Sequence, residues 1–400
     1  MVGTWVQSVA VMWLAYRLSG STWFTGLIGF LTSAPHLFLA PFAGVLGDRV
    51  SRRKLLIAVL TLMAMQSIAL AVLTGMHVIT MAMLAGLAFF GGICNAFEIP
   101  TRQSIYSQLI DRHEDLPNAI ALNSMLMNGT RLIGPSIGGV LIAAFGETVC
   151  FWLNAISFIA VVGALFRVTV HPRQKRAPSH PLHDLAEGWR YAMGMLPVRR
   201  MLFTLAAVSF SIAPYATLMP AISVKTFHSG AELVGIFIGF VGLGAFIAAA
   251  GLARRPNVRG LGKWIAFAAI IAGIGAVGFG LSRWVWLSCA FLVMEGFGMF
   301  MTGATCNTIM QTIVDEEKRS RVMSYYTMFF VGTAPIGHYF AGWLADHIGA
   351  PRTFLVSGVI ALATGLAFLA QMKSFRSHLR QVYVTRGIIP SLEDTRVANP

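Results

Sequence analysis

Charge is what this 400-residue chain has least of. Only 12% of its residues are Asp, Glu, Lys or Arg, about half the fraction of a soluble domain. Acidic groups are the scarcer sign, 16 against 30 Lys and Arg. Cysteine is rare too. Cys94, Cys150, Cys289 and Cys306 form no CxxC pair and no metal spacing, which argues against a disulfide scaffold or a zinc module. Each reads as a small apolar packing residue. The chain also lacks GxxxxGK[ST], HExxH and GxSxG, so the phosphate loop, the zinc-protease helix and the nucleophile elbow are all missing. GLGAFIAAAG (Gly242–Gly251) has the glycines of a dinucleotide loop but lies inside an apolar run with no strand before it.

Apolar sequence is abundant. AVILMFWYC make up 56% of the chain and the mean hydropathy is +0.69. Runs of about 20 apolar residues, enough to cross a bilayer, recur from end to end. Twelve are predicted: 1–18, 22–46, 54–75, 78–110, 115–145, 149–168, 200–225, 231–253, 263–282, 284–313, 320–345 and 351–372. The first begins at Met1 without a basic leader or a small-residue cleavage site, so it reads as a helix rather than a cleavable signal, with its start open to truncation. The fold class is therefore all-α integral membrane.

The net charge of +14 invites a nucleic-acid reading, but the positions of the charges decide otherwise. An even number of spans puts both termini on one side. The opposite loops hold only Arg17, Lys225, Arg283 and Arg352, and Arg131 lies inside a span. Nearly all remaining Lys and Arg belong to the side of the termini, which the positive-inside rule makes cytoplasmic. No soluble module is long enough to carry a nucleic-acid face. The predicted setting is the cytoplasmic (inner) membrane.

The chain also repeats itself. Shifted by 203 residues, GTRLIGPSIGGVLIAAFGETVCF (129–151) overlays GTAPIGHYFAGWLADHIGAPRTF (332–354) with eight of 23 positions identical, among them Gly134/Gly337, Gly139/Gly342 and Gly146/Gly349. Shared glycine spacing across a helix, a loop and the next helix implies a parallel six-plus-six duplication, in which two halves rock around a central site. The predicted units are 1–168 and 200–372. Between them lies a cytoplasmic loop, 169–199, whose amphipathic end LHDLAEGWRYAMGMLPVRR (182–200) is expected along the membrane surface. A cytoplasmic tail, 373–400, follows.

One short turn concentrates charge: GVLGDRVSRRKLLI (44–57) holds Asp48, Arg49, Arg52, Arg53 and Lys54. Gly44-x-x-x-Asp48-Arg49-x-Ser51-Arg52-Arg53 resembles the loop between the second and third helices of the major facilitator superfamily, with Ser51 where glycine is usual. RLIGPSIGG (131–139) resembles the antiporter signature on the fifth helix. AEGWRYAMGMLPVRR (186–200) is similar to the central loop of the branch with the enterobactin exporter and macrolide efflux pumps. The resemblance spans about residues 1–372. It implies twelve helices in two pseudo-symmetric six-helix bundles, spans 2, 5, 8 and 11 at their meeting, and a cytoplasmic latch of Gly44, Asp48, Arg49, Arg52 and Arg53. A carboxylate at Asp48 would dock on the N-terminus of the eleventh helix, expected near Ser320, where free N–H groups meet a positive dipole end. The alternative for this turn is an ordinary solvated loop.

The buried charges point to a transport site. On the fifth span Pro135 lacks an N–H and frees the Arg131 carbonyl, while Gly134, Gly138 and Gly139 admit a neighbouring backbone. Glu98 and Arg131 fall at similar depth on antiparallel spans, with Arg102 one turn from Glu98. Glu98 and Glu295 are the candidate proton carriers. A Glu98–Arg131 couple and a permanent Glu98–Arg102 brace are both open on sequence. His36 and His338 read as packing residues that could titrate. Trp5, Gln7, Trp13, Phe89, Asn95, Tyr215, Met219 and Asn307 are the candidate cavity residues, an apolar set with few polar anchors that suits a bulky amphipathic solute. Export driven by a proton gradient, without a cofactor or metal and as a monomer, leads, because of the antiporter-like signature. Import or lipid transport on the same fold is the alternative. A membrane enzyme would show a polar catalytic cluster, and a sensor would carry an appended domain; neither is seen.

Overall fold

The structure is a computed structural model that describes residues 1–49, 51–106, 116–167, 181–255 and 260–385; the side chains of 40–49, 52, 104, 106, 116–125, 128, 181–186 and 385 lie outside that description. Among the described residues there are sixteen helices and no strand. Eight helical stretches are long and apolar enough to cross a membrane. Helices α1 (Val2–Ser19), α2 (Thr22–Arg49), α3 (Arg52–Gly75), α4 (Met81–Tyr106), α5 (Leu116–Phe145) and α6 (Glu147–Arg167) follow the first six predicted spans. After α7 (Pro181–Gly194) come α8 (Leu196–Ile212), α9 (Tyr215–Phe227), α10 (Ala231–Ala253), α11 (Leu261–Leu281), α12 (Val285–Ile313), α13 (Glu316–Phe330), α14 (Ala334–Ile348), α15 (Ala350–Ala370) and α16 (Met372–Thr385).

The expectation of one helix per span is corrected. The seventh span is two helices, α8 and α9, broken at Ala213–Pro214. The eleventh is α13 and α14, broken at 331–333 ahead of Pro335. In both, a proline without an N–H interrupts the ladder. The eleventh also starts four residues before Ser320, and its first turn carries Glu316 and Glu317 after the N-cap Asp315. The tail opens with a helix, α16, because Met372, Phe375, Leu379 and Tyr383 share one face that is buried with α8, α11 and α12.

Turn residues set the directions. Gly20 (φ 65°) ends α1 in the left-handed region, its N–H donating to the Tyr16 carbonyl at 2.7 Å, a common helix stop. Gly146 (φ 79°) and Gly349 (φ 88°), equivalent in the repeat, link α5 to α6 and α14 to α15. With ψ 149°, Gly349 occupies a region essentially closed to other residues.

The main packing partners are α2 with α4 and α14, α5 with α1 and α10, α3 with α6, α10 with α12, and α11 with α12 and α15. Two crossings are close enough for backbone contact. At α5/α10, a Cβ on Gly139 would lie 2.7 Å from the Ala231 oxygen, and one on Gly235 2.5 Å from the Pro135 oxygen. At α2/α14, a Cβ on Gly342 would lie 2.6 Å from the Thr22 oxygen, and one on Gly26 2.6 Å from the His338 oxygen. Pro135/His338 and Gly139/Gly342 differ by the 203 residues of the repeat. The two crossings are thus copies of one contact, and glycine is needed at each because any side chain would meet a carbonyl.

Candidate functional site

Arg131 stands where several helices converge. The proline four residues on frees its carbonyl, and Gly242 of α10 covers that oxygen, 2.7 Å from where a Cβ would sit. Its guanidinium lies over the Trp5 ring, 5.8 Å from the centroid, and is near enough to interact with the Tyr215 hydroxyl. Its Nε is buried without a hydrogen-bond partner. The side chain lines a cavity of about 350 Å³ shared with α10, α12 and α13, whose walls include Met299, Phe300, Asn307, Tyr326 and Phe330.

The polar groups facing it are donor-rich. Asn307 Oδ1 accepts from Gln311 Nε2 at 2.5 Å, and the same side chain reaches the Tyr326 hydroxyl. The Tyr326 hydroxyl donates to the Gly303 carbonyl at 3.2 Å. Glu295, 1% exposed on α12, has both carboxylate oxygens buried without a partner.

Of the predicted charges, Glu98 pairs with Arg102 one turn away, Nε to Oε1 at 2.5 Å. Among the described residues Arg131 makes no ion pair, so the expected Glu98–Arg131 couple is replaced by the i,i+4 brace. The brace forms because two helix neighbours can meet without bridging between helices. Arg53, expected in the latch, donates from Nε to the Leu165 carbonyl and from its terminal nitrogen to the Phe166 carbonyl, both at 2.9 Å. It thereby satisfies the last carbonyls of α6. The side chains of Gly44, Asp48, Arg49 and Arg52 lie outside the described residues.

The predicted cavity residues divide. Asn307 lines the cavity, and Trp5 and Tyr215 flank Arg131. Gln7 belongs to a polar network: its amide donates to Gln66 Oε1 at 3.0 Å, and its Oε1 accepts from Ser67 Oγ at 2.7 Å and Asn154 Nδ2 at 2.8 Å. That network ties α1, α3 and α6 together. Met219 is fully buried, Trp13 packs against the core, Asn95 is half-buried and Phe89 is exposed. Phe89, 45% exposed, is not among the residues that line the Arg131 cavity. His338 Nδ1 meets Thr217 Oγ1 at 2.7 Å and packs under Gly29, joining α14 to α9 and α2. His36 is half-buried on α2.

Two features escaped the sequence. Asp346, near the end of α14, holds the start of α2. Its Oδ1 accepts from the Thr22 N–H at 2.8 Å and the Thr22 hydroxyl at 2.7 Å, and its Oδ2 accepts from Ser21 Oγ at 2.7 Å. This contact lies on the face opposite the basic loops. On the basic face, α7 docks on α13 through the Glu187–Arg321 ion pair, the Tyr191 hydroxyl donating to Asp315 Oδ2 at 2.9 Å, and Trp189 against Tyr325 and Phe329. Only an i,i+3/i+4 match between the two segments, 130 residues apart, could have signalled it.

Known proteins share this framework. The transmembrane secretion effector family matches residues 1–382. The staphyloferrin A transporter of Staphylococcus aureus is 26% identical over 374 residues, 92% of each chain. The multidrug efflux pump Tap of Mycolicibacterium fortuitum is 24% identical over 392 residues, 95% of this chain and 93% of its own. An inward-facing, unoccupied bacterial homologue of the human lysosomal transporter Spinster superposes with a TM-score of 0.71 at 15% identity, over 94% of this chain and 95% of its own.

Proposed function

This chain belongs to the transmembrane secretion effector family of the major facilitator superfamily, and on that premise we propose that it is a proton-coupled exporter of a bulky amphipathic small molecule. It is a membrane transporter and not an enzyme. The observation that carries the proposal is the Arg131 cavity, lined by α5 and α10, which cross at glycines, together with α12 and α13. Two six-helix units, 1–168 and 200–372, rock against each other about the α5/α10 and α2/α14 crossings. With the crossings closed on the face of the α1–α2 turn, the cavity serves the basic face, which the positive-inside rule assigns to the cytoplasm. Substrate enters there and leaves after the halves rock the other way.

Glu295 is the proton carrier in this reading. A membrane-buried carboxylate with neither oxygen partnered is a functional group rather than a strut. Glu98, braced by Arg102, keeps the α4 end of the path in register. Asp48 and its basic neighbours form the cytoplasmic latch of the opposite state, and the protein works as a monomer in the cytoplasmic membrane.

The test is a proteoliposome assay with an imposed proton gradient and a panel of hydrophobic cations, macrolides and catecholate siderophores. Exchange of at least one solute against protons, abolished by Glu295→Gln at matched abundance, is the expected result. Gradient-independent movement by the Glu295→Gln protein equal to wild type would remove proton coupling, and uptake toward the basic face would reverse the direction.

A further inference from the structure

We infer that the cavity selects solutes with a carboxylate, held by Arg131, over neutral and cationic solutes of the same body; this rests on the reading of the cavity as the transport site. The argument starts from charge. Among the described residues Arg131 has no ion pair, and Glu98, its partner expected from sequence, is taken by Arg102. Glu295, next to Gly296 of the cavity wall, has neither oxygen hydrogen-bonded to Arg131 or to any other group. The cavity wall therefore carries a cation that no carboxylate of the described residues contacts.

Arg131 is half-buried with its Nε sealed from solvent, and a charge partly withdrawn from water is penalised until it is paired. The Trp5 face at 5.8 Å offsets only part of that penalty. A cationic solute would add a second like charge to this wall. An anionic one would supply the counter-charge, so the same desolvated environment that penalises the bare cation favours the pair.

The neighbouring groups narrow the anion. Guanidinium presents a planar fork that matches a carboxylate. Asn307, whose oxygen is occupied by Gln311, leaves its amide nitrogen as the donor on the cavity wall beside Tyr326. Tyr215 stands on the other side of Arg131, from α9. Met299, Phe300 and Phe330 supply an apolar wall, and about 350 Å³ falls within the range of small-molecule sites. The class is an aromatic or aliphatic amphiphile with a terminal carboxylate.

A fluorescent series isolates the charge: N-dansyl-phenylalanine, its methyl ester and monodansylcadaverine, titrated into the detergent-purified full-length protein at pH 7.5. The acid is expected to bind about tenfold tighter than the ester, with the amine weakest, as one charge-assisted contact implies. Arg131→Lys should keep the order with a smaller gap, and Arg131→Met should erase it. The unmodified protein alone already decides, so a poorly folding variant does not blunt the test. Equal binding of acid and ester, preference for the amine, no binding of the acid, or an acid preference that survives Arg131→Met would each overturn the inference. The transport reading is scored separately by counterflow in proteoliposomes. Acid-selective binding without exchange of any probe faults the transport reading and leaves carboxylate selection standing. Exchange of the amine but not the acid faults carboxylate selection and leaves transport standing.

Discussion

Asp346 does with one carboxylate what a longer contact surface would do elsewhere. Burial pushes its carboxyl up, yet hydrogen bonds from Ser21, Thr22 and the Thr22 and Trp23 backbone outweigh that and hold it below the usual carboxylate range. A carboxyl lowered by a contact favours that contact at every pH above its free value, near 4. The preference fades only as pH falls from there through the lowered value. Across pH 5.5–8 the contact is thus constant. A cysteine at Ile28, fully buried on α2 two residues from Gly26 of the crossing, reports the seating of α2. The four native cysteines are themselves buried, so background labelling is slow. Asp346→Asn should raise the labelling rate of Ile28→Cys about two- to fivefold, the equivalent of about 0.3–1 kcal/mol for a charge at an exposed helix start. The rate should stay flat from pH 8 to 5.5 in both proteins, and a wild-type rate that climbs in that window would remove this account of Asp346. Glu98 gives a second residue-level test. Thermal unfolding of Glu98→Gln, Arg102→Gln and their double mutant should return a coupling of about 0.5–3 kcal/mol, the range for residues in contact. The same cycle between Glu98 and Arg131 should return almost none. A larger coupling to Arg131 would restore the pairing that depth alone suggested.

At the scale of helices, prolines and glycines work in pairs across crossings. Pro135 frees the Arg131 carbonyl and Gly242 approaches it; Pro214 frees the Phe210 carbonyl and Gly337 approaches that one. Each Cα–H offers a weak donor to the freed oxygen, so a helix can bend without stranding a polar group in lipid. Alanine at Gly342 would place its methyl carbon 2.6 Å from the Thr22 oxygen and push α2 from α14. Gly342→Ala should therefore speed labelling at Ile28→Cys, whereas Gly163→Ala, with nothing within 4 Å, should not. Equal effects of the two would show that the crossing is not held by close approach. On the basic face, swapping Glu187→Arg with Arg321→Glu should recover the transport lost by either single change, although an exposed ion pair carries only about 0–1 kcal/mol. Failure of the swap would mean that α7 is held by Trp189 and Tyr191 alone. Much of this was legible in the sequence. Two glycine-marked helices 203 residues apart announced both crossings, and Gly146 and Gly349 announced the turns. What stayed hidden depends on partners far along the chain. Asp346 looks like any acid at a helix end until α2 arrives above it, and Gln7 looks like a cavity residue until Gln66, Ser67 and Asn154 enclose it. Glu98 and Arg131 share a depth, but depth carries no azimuth. Arg102, on the same face of the same helix, was the nearer partner.

For the whole molecule, the distribution of basic residues predicts which face is cytoplasmic. His228, ending α9 in the left-handed region, and Arg254, ending α10, are both exposed and on opposite faces. In intact cells an impermeant maleimide should label His228→Cys and spare Arg254→Cys; the reverse would invert the topology and with it the proposed direction of transport. The α2/α14 crossing has one more consequence, which is mechanical. It sits at Gly26, near the Thr22 end of a helix that runs on to Arg49. At 1.5 Å per residue the arms on either side are about 6 Å and about 35 Å. If α2 turns there as a rod, its far end travels about six times as far as its near end. Stretching the Thr22–Asp346 bond by about 1.5 Å would then sweep the distant end of α2 through about 9 Å, the width of a helix. The gearing is steep. One hydrogen bond's reach on one side of the membrane becomes an aperture's width on the other, so in the proposed cycle very little needs to move near Asp346 for a great deal to move far from it.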